Sequence, residues 1–253
     1  MRFRWAPFFL AVAATAHADW AINSADSEPG GPGVVHRRVI LENAAADDRA
    51  IIDLAIFSAK TCTLRVIDNQ DGVLNLAEAM KREKCLAGVN GGYFGPDSAP
   101  LGLLISDGKI ITPLIRARLL TGALGASSRG VQILRFREFS PRQKFNAAVQ
   151  CGPFLVDRGQ SLRGLEKTRL ARRTFAAVGS PDRAALGFCS EVSLASLGEI
   201  LATKRLASDL KIERALNLDG GSSSAFWFAH ESGGAFSISE QKNVRDFVGI
   251  VAK

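Results

Sequence analysis

Histidine is scarce in this chain: there are three in 253 residues, beside a single tyrosine, two methionines and four cysteines. That scarcity removes several mechanisms at once. There is no His-Glu-x-x-His pair to hold zinc, no Gly-x-x-x-x-Gly-Lys-Ser/Thr loop to cradle a nucleotide phosphate, and no loop of alternating acids for calcium. The serines of Gly220-Gly221-Ser222-Ser223-Ser224 lack the glycine that should follow a nucleophile two residues on, and His230 comes too soon to leave room for an intervening acid. A serine hydrolase is excluded on that pattern, and acid–base work falls to carboxylates. No apolar run is long enough to span a bilayer as a permanent helix.

Cationic residues outnumber acidic ones by 32 to 25, a formal charge of +7. The excess is spread along the chain, with no basic tail and no aromatic-basic interleaving, so nucleic acid is not an expected partner. An anionic envelope polymer or a phosphate-bearing substrate fits better. Arg2 and Arg4, a short apolar stretch over 5–15 and the small-x-small triplet Ala16-His17-Ala18 read as a secretory signal peptide over 1–18. The expected product is periplasmic or secreted, with no stable membrane insertion after cleavage. Residues 19–33, rich in Ser, Asp, Gly and Pro, read as a flexible lead-in, and 34–253 as one domain large enough for a substantial core.

All four cysteines, Cys62, Cys85, Cys151 and Cys189, follow the signal segment, where an oxidising compartment permits disulfides. Chain order favours Cys62–Cys85 and Cys151–Cys189, with free buried thiols as the other reading. A zinc site is disfavoured: there is no Cys-x-x-Cys, and only His36 and His230 remain to help.

From Val34 the sequence becomes strand-like, over 34–41, 50–57 and 61–67, and then predicts a helix over 75–84 with Asn75 as N-cap and Glu78 as its capping-box partner. A hairpin follows over 101–115, turning at Ser106-Asp107-Gly108-Lys109. Further strands are expected over 130–136, 147–157, 174–179, 184–189 and 247–251, and an amphipathic helix over 194–206 with Ser196 and Glu199 near its start. Many hairpin-linked strands and few helices give an α+β fold: a mixed, largely antiparallel sheet in a single domain.

The most informative segment is Ala215-Leu216-Asn217-Leu218-Asp219-Gly220-Gly221-Ser222-Ser223-Ser224. An apolar strand ends there in a carboxylate followed by bare backbone, which holds an acid rigidly and lets a ligand approach closely. Val89-Asn90-Gly91-Gly92-Tyr93-Phe94 repeats the design with Asn in place of Asp. Each feature has a plainer reading: Asp219-Gly220 as a mere turn, Arg173 as a surface ion-pair residue, Tyr93 as a core residue. Asp97 reads as turn chemistry and Glu199 as a helix-surface residue.

These two blocks together resemble the phosphodiester glycosidase family. So do Pro100-Leu101-Gly102, Asp107-Gly108-Lys109, Gly152-Pro153-Phe154-Leu155, Arg173-Thr174 through Gly179, and the segment 193–201 carrying Glu199, from about residue 34 to 253. The chain departs from the family at Phe175-Ala176-Ala177, where a tighter Arg-Thr-Ala-x-Gly is commoner, and at Ser222, where a third glycine often stands. The resemblance implies cleavage of a glycosyl (sugar-1-phospho) diester to sugar and phosphomonoester. Such chemistry wants a carboxylate at the anomeric carbon, as nucleophile or base, and a planar cation on the phosphate. Asp219 and Arg173 fill those roles. Backbone N–H groups around Gly91, Gly92, Gly220 and Gly221 are expected to bind phosphate oxygens. Ser222 and Ser223 are expected to donate to substrate, Asn90 and Asn217 to orient sugar or partner side chains, and Tyr93 and Thr174 to line the site. No cofactor or metal ligand is implied, a divalent cation being left open. Two alternatives stand beside this one: a non-catalytic envelope module that binds anionic glycan, and a metal-dependent phosphodiesterase, which scarce His and unclustered carboxylates disfavour.

Overall fold

The computed structural model describes residues 20–140, 142–180, 182–204, 206–207 and 209–253; the expected signal segment lies outside them. In chain order the elements are β1 (Ala21–Pro29), β2 (Val34–Asn43), β3 (Asp48–Ser58), β4 (Cys62–Asp68), α1 (Leu76–Arg82), β5 (Ala87–Asn90), β6 (Leu104–Ser106), β7 (Lys109–Thr112), β8 (Gly122–Ser127), β9 (Gly130–Arg135), β10 (Phe145–Cys151), β11 (Phe154–Asp157), β12 (Gln160–Ser161), β13 (Ala171–Ser180), β14 (Arg183–Val192), α2 (Leu194–Ala202), β15 (Lys211–Asn217), β16 (Phe226–Ala229), β17 (Ala235–Ile238) and β18 (Asp246–Ala252). They form three sheets, ordered β1-β2-β3-β14-β13-β15-β11-β12, β7-β6-β10-β8-β9 and β17-β16-β5-β18-β4. Every strand pair is antiparallel.

Alternation along the strands sorts side chains into two layers. Ala55 and Phe57 of β3, Ala176 of β13 and Leu216 of β15 face a central core. Leu64 and Val66 of β4, Val89 of β5, Leu124 of β8, Val149 of β10 and Val248 of β18 meet them there, so all three sheets share one interior. Residues one position away on the large sheet, Leu54, Ile56, Phe175, Ala177 and Ala215, point outward and are covered by Leu197, Ile200 and Leu201 of α2. The outer face of the β5-containing sheet is covered by α1 through Leu76, Ala79 and Met80.

Both helices form where expected, with adjusted ends. Asn75 caps α1: its side chain accepts the Glu78 N–H while Glu78 reaches back to the Asn75 N–H. Helix α2 ends at Ala202, and its cap is Ser193, whose hydroxyl accepts the Ser196 N–H at 3.0 Å; Ser196 and Glu199 are not its cap pair. The expected strand 147–157 is two strands, broken at Gly152-Pro153, where proline offers no N–H for a ladder.

Two expectations are corrected. Residues 21–29, read as a flexible lead-in, pair with β2 from Ala21↔Glu42 to Pro29↔Val35. This is an outermost strand, polar on both faces, so it carries no apolar alternation. The disulfides are absent as well: all four cysteines are free and buried. Cys62 packs in the central core and Cys85 on the α1 side of the same sheet, while Cys151 faces the core and Cys189 faces α2. Each expected pair is therefore split across a sheet. Burial pushes the Cys85 and Cys189 thiols up to about 12, leaving them protonated and inert.

A thiol reagent should accordingly modify none of the four cysteines in the folded protein and all of them after denaturation. A reductant should leave the thermal midpoint unchanged. A midpoint that drops on reduction would show a disulfide.

Candidate active site

The ends of three strands, one from each sheet, meet at Asn90 (β5), Asn217 (β15) and Cys151 (β10). Asn90 is fully buried, and three of the four hydrogen bonds its amide can make are made inside the protein. Its Nδ2 donates to the Asp219 carbonyl at 2.8 Å, and its Oδ1 accepts from the Thr174 hydroxyl at 2.7 Å and the Ala225 N–H at 3.0 Å. Asn90 and Thr174 thus brace the walls of the site. Asn217 does related work: its Nδ2 donates to the Tyr93 hydroxyl at 3.0 Å and to the carbonyls of Gly152 at 2.9 Å and Leu218 at 2.6 Å. Tyr93 donates its own hydroxyl to the Gly152 carbonyl at 2.6 Å. Burial, then the Cys151 and Asp219 charges, hold that phenol well above its usual range.

The chain leaves β15 through Leu218 and turns at Asp219. The Asp219 N–H donates to the Gly91 carbonyl at 3.0 Å, which ties the two glycine blocks together. The Asp219 carboxylate is half-buried; its Oδ1 accepts the Gly220 N–H at 2.9 Å, and Oδ2 has no donor among the described residues. Burial raises its pKa, opposed by the adjacent Ser223 hydroxyl, by the Lys242 charge and by the Gly220 N–H. Ser223 Oγ is close enough to Asp219 to lower its pKa yet falls outside full hydrogen-bond geometry, and Ser224 Oγ and Asn217 Oδ1 are likewise buried without a partner among the described residues. Unsatisfied buried polar atoms are rare, and here several gather at one turn. Ser222 lies on the partly exposed side, its carbonyl accepting the Gln241 N–H at 2.7 Å.

Arg173 reaches the same turn from the start of β13. A side-chain carbon placed on Gly220 would stand 3.8 Å from Arg173 Cδ and 3.9 Å from its Nη1. Arg173 Nε donates to the Val192 carbonyl at 2.9 Å and Nη2 to the Arg169 carbonyl at 2.6 Å, leaving Nη1 without a partner among the described residues. Burial lowers its pKa, and Glu166, 4.0 Å from Nη2, opposes that shift. Arg172, by contrast, spends its Nη2 on the carbonyls of Ser224 and Ser239 and lies over the Phe188 ring. Lys242, exposed, lies over the Phe94 ring at 4.8 Å and adds a second cation close enough to act on Asp219.

One acid went unnoticed in the sequence. Asp246, at the start of β18, is fully buried, its Oδ1 accepting the Gly92 N–H at 3.0 Å and its Oδ2 unpartnered. Its backbone carbonyl takes the Gly91 N–H at 2.9 Å. The N–H groups of Gly91 and Gly92, expected to bind phosphate, are therefore spent on Asp246, and the Gly220 N–H on Asp219. Gly91 is required because a Cβ there would lie 1.8 Å from Asp246 Oδ1. Burial holds the Asp246 carboxyl up at about 7, against the Gly92 N–H and Arg245, with Asp68 and Asp219 adding to the rise. The only sequence signal for it is an acid at the mouth of an otherwise apolar strand.

Elsewhere, Asp97 is turn chemistry, accepting the Ala99 N–H at 3.2 Å. His230 pairs with Glu28 at 3.1 Å, away from the site. Two surface clefts of about 230 and 340 Å³ contain no residue of either glycine block. Among the described residues no group of three His, Cys, Asp or Glu is gathered to hold a cation.

The buried acid makes stability depend on pH. An unfolded aspartate titrates at about 3.9, so between there and about 7 the folded chain keeps a proton that the unfolded chain has released. Stability falls across that window as pH rises. Asp246→Asn should raise the thermal midpoint at about pH 8 by several degrees, at roughly 2–4 °C per kcal/mol, and change it little near pH 4. An equal shift at both pH values would show that the carboxyl is not held protonated. Asn90→Ala leaves its partners unpaired and should cost about 1–3 kcal/mol or more, measured by denaturant unfolding.

With this geometry in place, similarity to known proteins can be placed on it. No curated protein sequence matches the chain. Among solved structures it is similar to a hypothetical protein from Synechocystis, at 14% identity and TM-score 0.66, over 90% of this chain and 64% of that one. It is also similar to the zebrafish N-acetylglucosamine-1-phosphodiester alpha-N-acetylglucosaminidase catalytic domain auto-inhibited by its pro-peptide, at 15% identity and TM-score 0.66, over 91% of this chain and 88% of that one. At such identities these likenesses establish the fold. The chain spans about two-thirds of the Synechocystis protein's length, 64%. The family model for phosphodiester glycosidases matches residues 83–251, which hold both glycine blocks, Arg173 and Asp246. The chain belongs to the phosphodiester glycosidase family.

Proposed function

We propose that this protein is an exported hydrolase that cleaves a glycosyl (sugar-1-phospho) diester at the anomeric carbon, releasing sugar and a phosphomonoester. The reading rests on one observation: beside the same turn, the Asp219 carboxylate takes one backbone N–H and Arg173 Nη1 has no acceptor among the described residues. A diester of this class offers both an electrophilic carbon and an anionic phosphate, and the two groups match them.

Arg173 is fixed through Nε and Nη2, so Nη1 is presented at little entropic cost and binds a phosphate oxygen. Asp219 Oδ2 either attacks the anomeric carbon, forming a glycosyl ester that a water then hydrolyses, or takes the proton of a water that attacks that carbon directly. The C1–O bond breaks and its electron pair leaves with the phosphate, whose charge Arg173 and Lys242 stabilise. A phosphomonoester is a fair leaving group, so no dedicated acid is needed. Tyr93 and Asn217 hold Gly152 and the Leu218 carbonyl in place, and Ser222 is positioned to donate to substrate. Export is supported by Arg2, Arg4 and the apolar stretch before Ala18.

Asp219→Asn should lower kcat by about 10²–10⁴-fold on a soluble sugar-1-phosphodiester without unfolding the protein. Arg173→Lys keeps the charge but loses the fork, and should raise KM together with a fall in kcat. Because burial raises the Asp219 pKa and the reaction needs it ionised, the acid limb of kcat/KM should lie above the usual aspartate range. Wild-type protein that binds anionic glycan yet releases no sugar from any of several diesters would replace this reading with a non-catalytic binding module.

A further inference from the structure

The segments that border the site are basic and apolar at once. Exposed large apolar side chains are few among the described residues, and Leu101, Ile115, Leu119 and Leu170 are among them, at 47%, 40%, 69% and 64% exposure. Each belongs to a segment fastened to the site. The Leu101 N–H donates to the Tyr93 carbonyl at 2.8 Å. Ile115 is held through both its N–H and its carbonyl by Gln150, two residues before Gly152. The Leu119 carbonyl packs so close to Gly152 that a Cβ on that glycine would lie 2.2 Å away. Leu170 follows Arg169, whose carbonyl holds Arg173 Nη2.

Cations are interleaved with these side chains: Arg116 and Arg118 in one segment, Lys167 and Arg169 in the other, all exposed. The opposing acids are few. Glu166, which takes the Thr168 hydroxyl and the Arg169 N–H on Oε1 at 2.7 Å each, has its other oxygen 4.0 Å from Arg173 Nη2, and Asp97 accepts the Ala99 N–H. An exposed leucine beside an exposed arginine, repeated in two segments fastened to the site, has little use in free solution. At a bilayer surface it has one, because the leucines enter the acyl boundary while the cations meet anionic headgroups.

We infer that the mouth of this site docks on an anionic phospholipid bilayer, and that its substrate is a glycosyl phosphodiester whose aglycone is a lipid anchored there. The identity of the substrate rests on the reading of the site given above; the docking does not. Arg173 Nη1 and Asp219 then meet the phosphate and the anomeric carbon at headgroup level, with the lipid chain left in the membrane.

Flotation of the purified mature protein with vesicles of phosphatidylcholine, with and without phosphatidylglycerol, tests this without turnover. Binding is expected only with phosphatidylglycerol, weakening as salt rises. Arg118→Gln and Lys167→Gln should each weaken it roughly fivefold, and Leu119→Ser with Leu170→Ser should weaken it at least as much, with thermal midpoints unchanged. Lys60→Gln with Arg129→Gln, in a basic cleft elsewhere on the surface, should not weaken it. The inference is overturned by wild-type protein that ignores phosphatidylglycerol vesicles at low salt, by rim variants that bind as wild type does, or by a cleft variant that weakens as much as they do. Sugar release from a soluble diester tests the catalytic reading separately, so either can fail while the other stands.

Discussion

A single buried carboxamide joins the parts of this molecule on which its chemistry depends. Asn90 ends β5, yet its three hydrogen bonds go to the turn after β15, to β13 and to the chain entering β16. Two of those elements belong to the large sheet and one to the sheet of Asn90 itself. An amide is needed because the partners include both acceptors and donors. An aspartate could not donate to the Asp219 carbonyl, and a leucine would leave a carbonyl, a hydroxyl and an N–H unpaired in the core. The position of the Asp219 carboxylate is thereby fixed by its own backbone, which is held at the carbonyl by Asn90 and at the N–H by Gly91.

Around this brace the candidate site gathers two acids and none of the chain's described histidines. Two carboxylates lie close enough to act on one another, Asp219 half-buried and Asp246 fully so. Burial raises both, but their surroundings part them: Asp219 has Lys242 and a route to solvent, whereas Asp246 sits against the Gly92 N–H with nothing to satisfy its second oxygen. The two acids thus differ in access: Asp219 meets solvent and a cation, and Asp246 lies behind it with its carboxyl held up at about 7. Were both ionised in the same low-dielectric ground, their repulsion would work against the fold.

The fold was legible where burial is one-sided. Strands β2 and β4 and helix α1 each carry the period their neighbours require, and the Asn75–Glu78 box is local enough to read directly; β3, buried on both faces, shows instead as a near-continuous apolar run. Strand β1 was not legible, because exposure on both faces removes the alternation that marks a strand. Strand β8 was not either: Gly122 and Gly125 lie under the rings of Phe154 and Phe145, so small residues there record packing that arrives from distant positions. The cysteine pairing misled for a similar reason, since order along the chain says nothing about which face of a sheet a thiol enters. In the site, Asp219 and Arg173 could be chosen by type and context. Asp246 could not, because its meaning comes from Gly91 and Gly92, more than 150 residues away.

The two glycine blocks look alike in sequence and are unlike in purpose. Gly91 is glycine because Asp246 occupies the space of its side chain, and the block it belongs to faces inward, its polar groups consumed by neighbours. Gly221 is glycine because its φ of +66° lies in the left-handed region, with open space around it. In its block, Asp219 to Ser222 are partly exposed, while Ser223 and Ser224 behind them are buried with their hydroxyls unpartnered among the described residues. A repeated motif therefore does not mean a repeated role here. The asparagine copy builds a socket, and the aspartate copy is the group the socket holds.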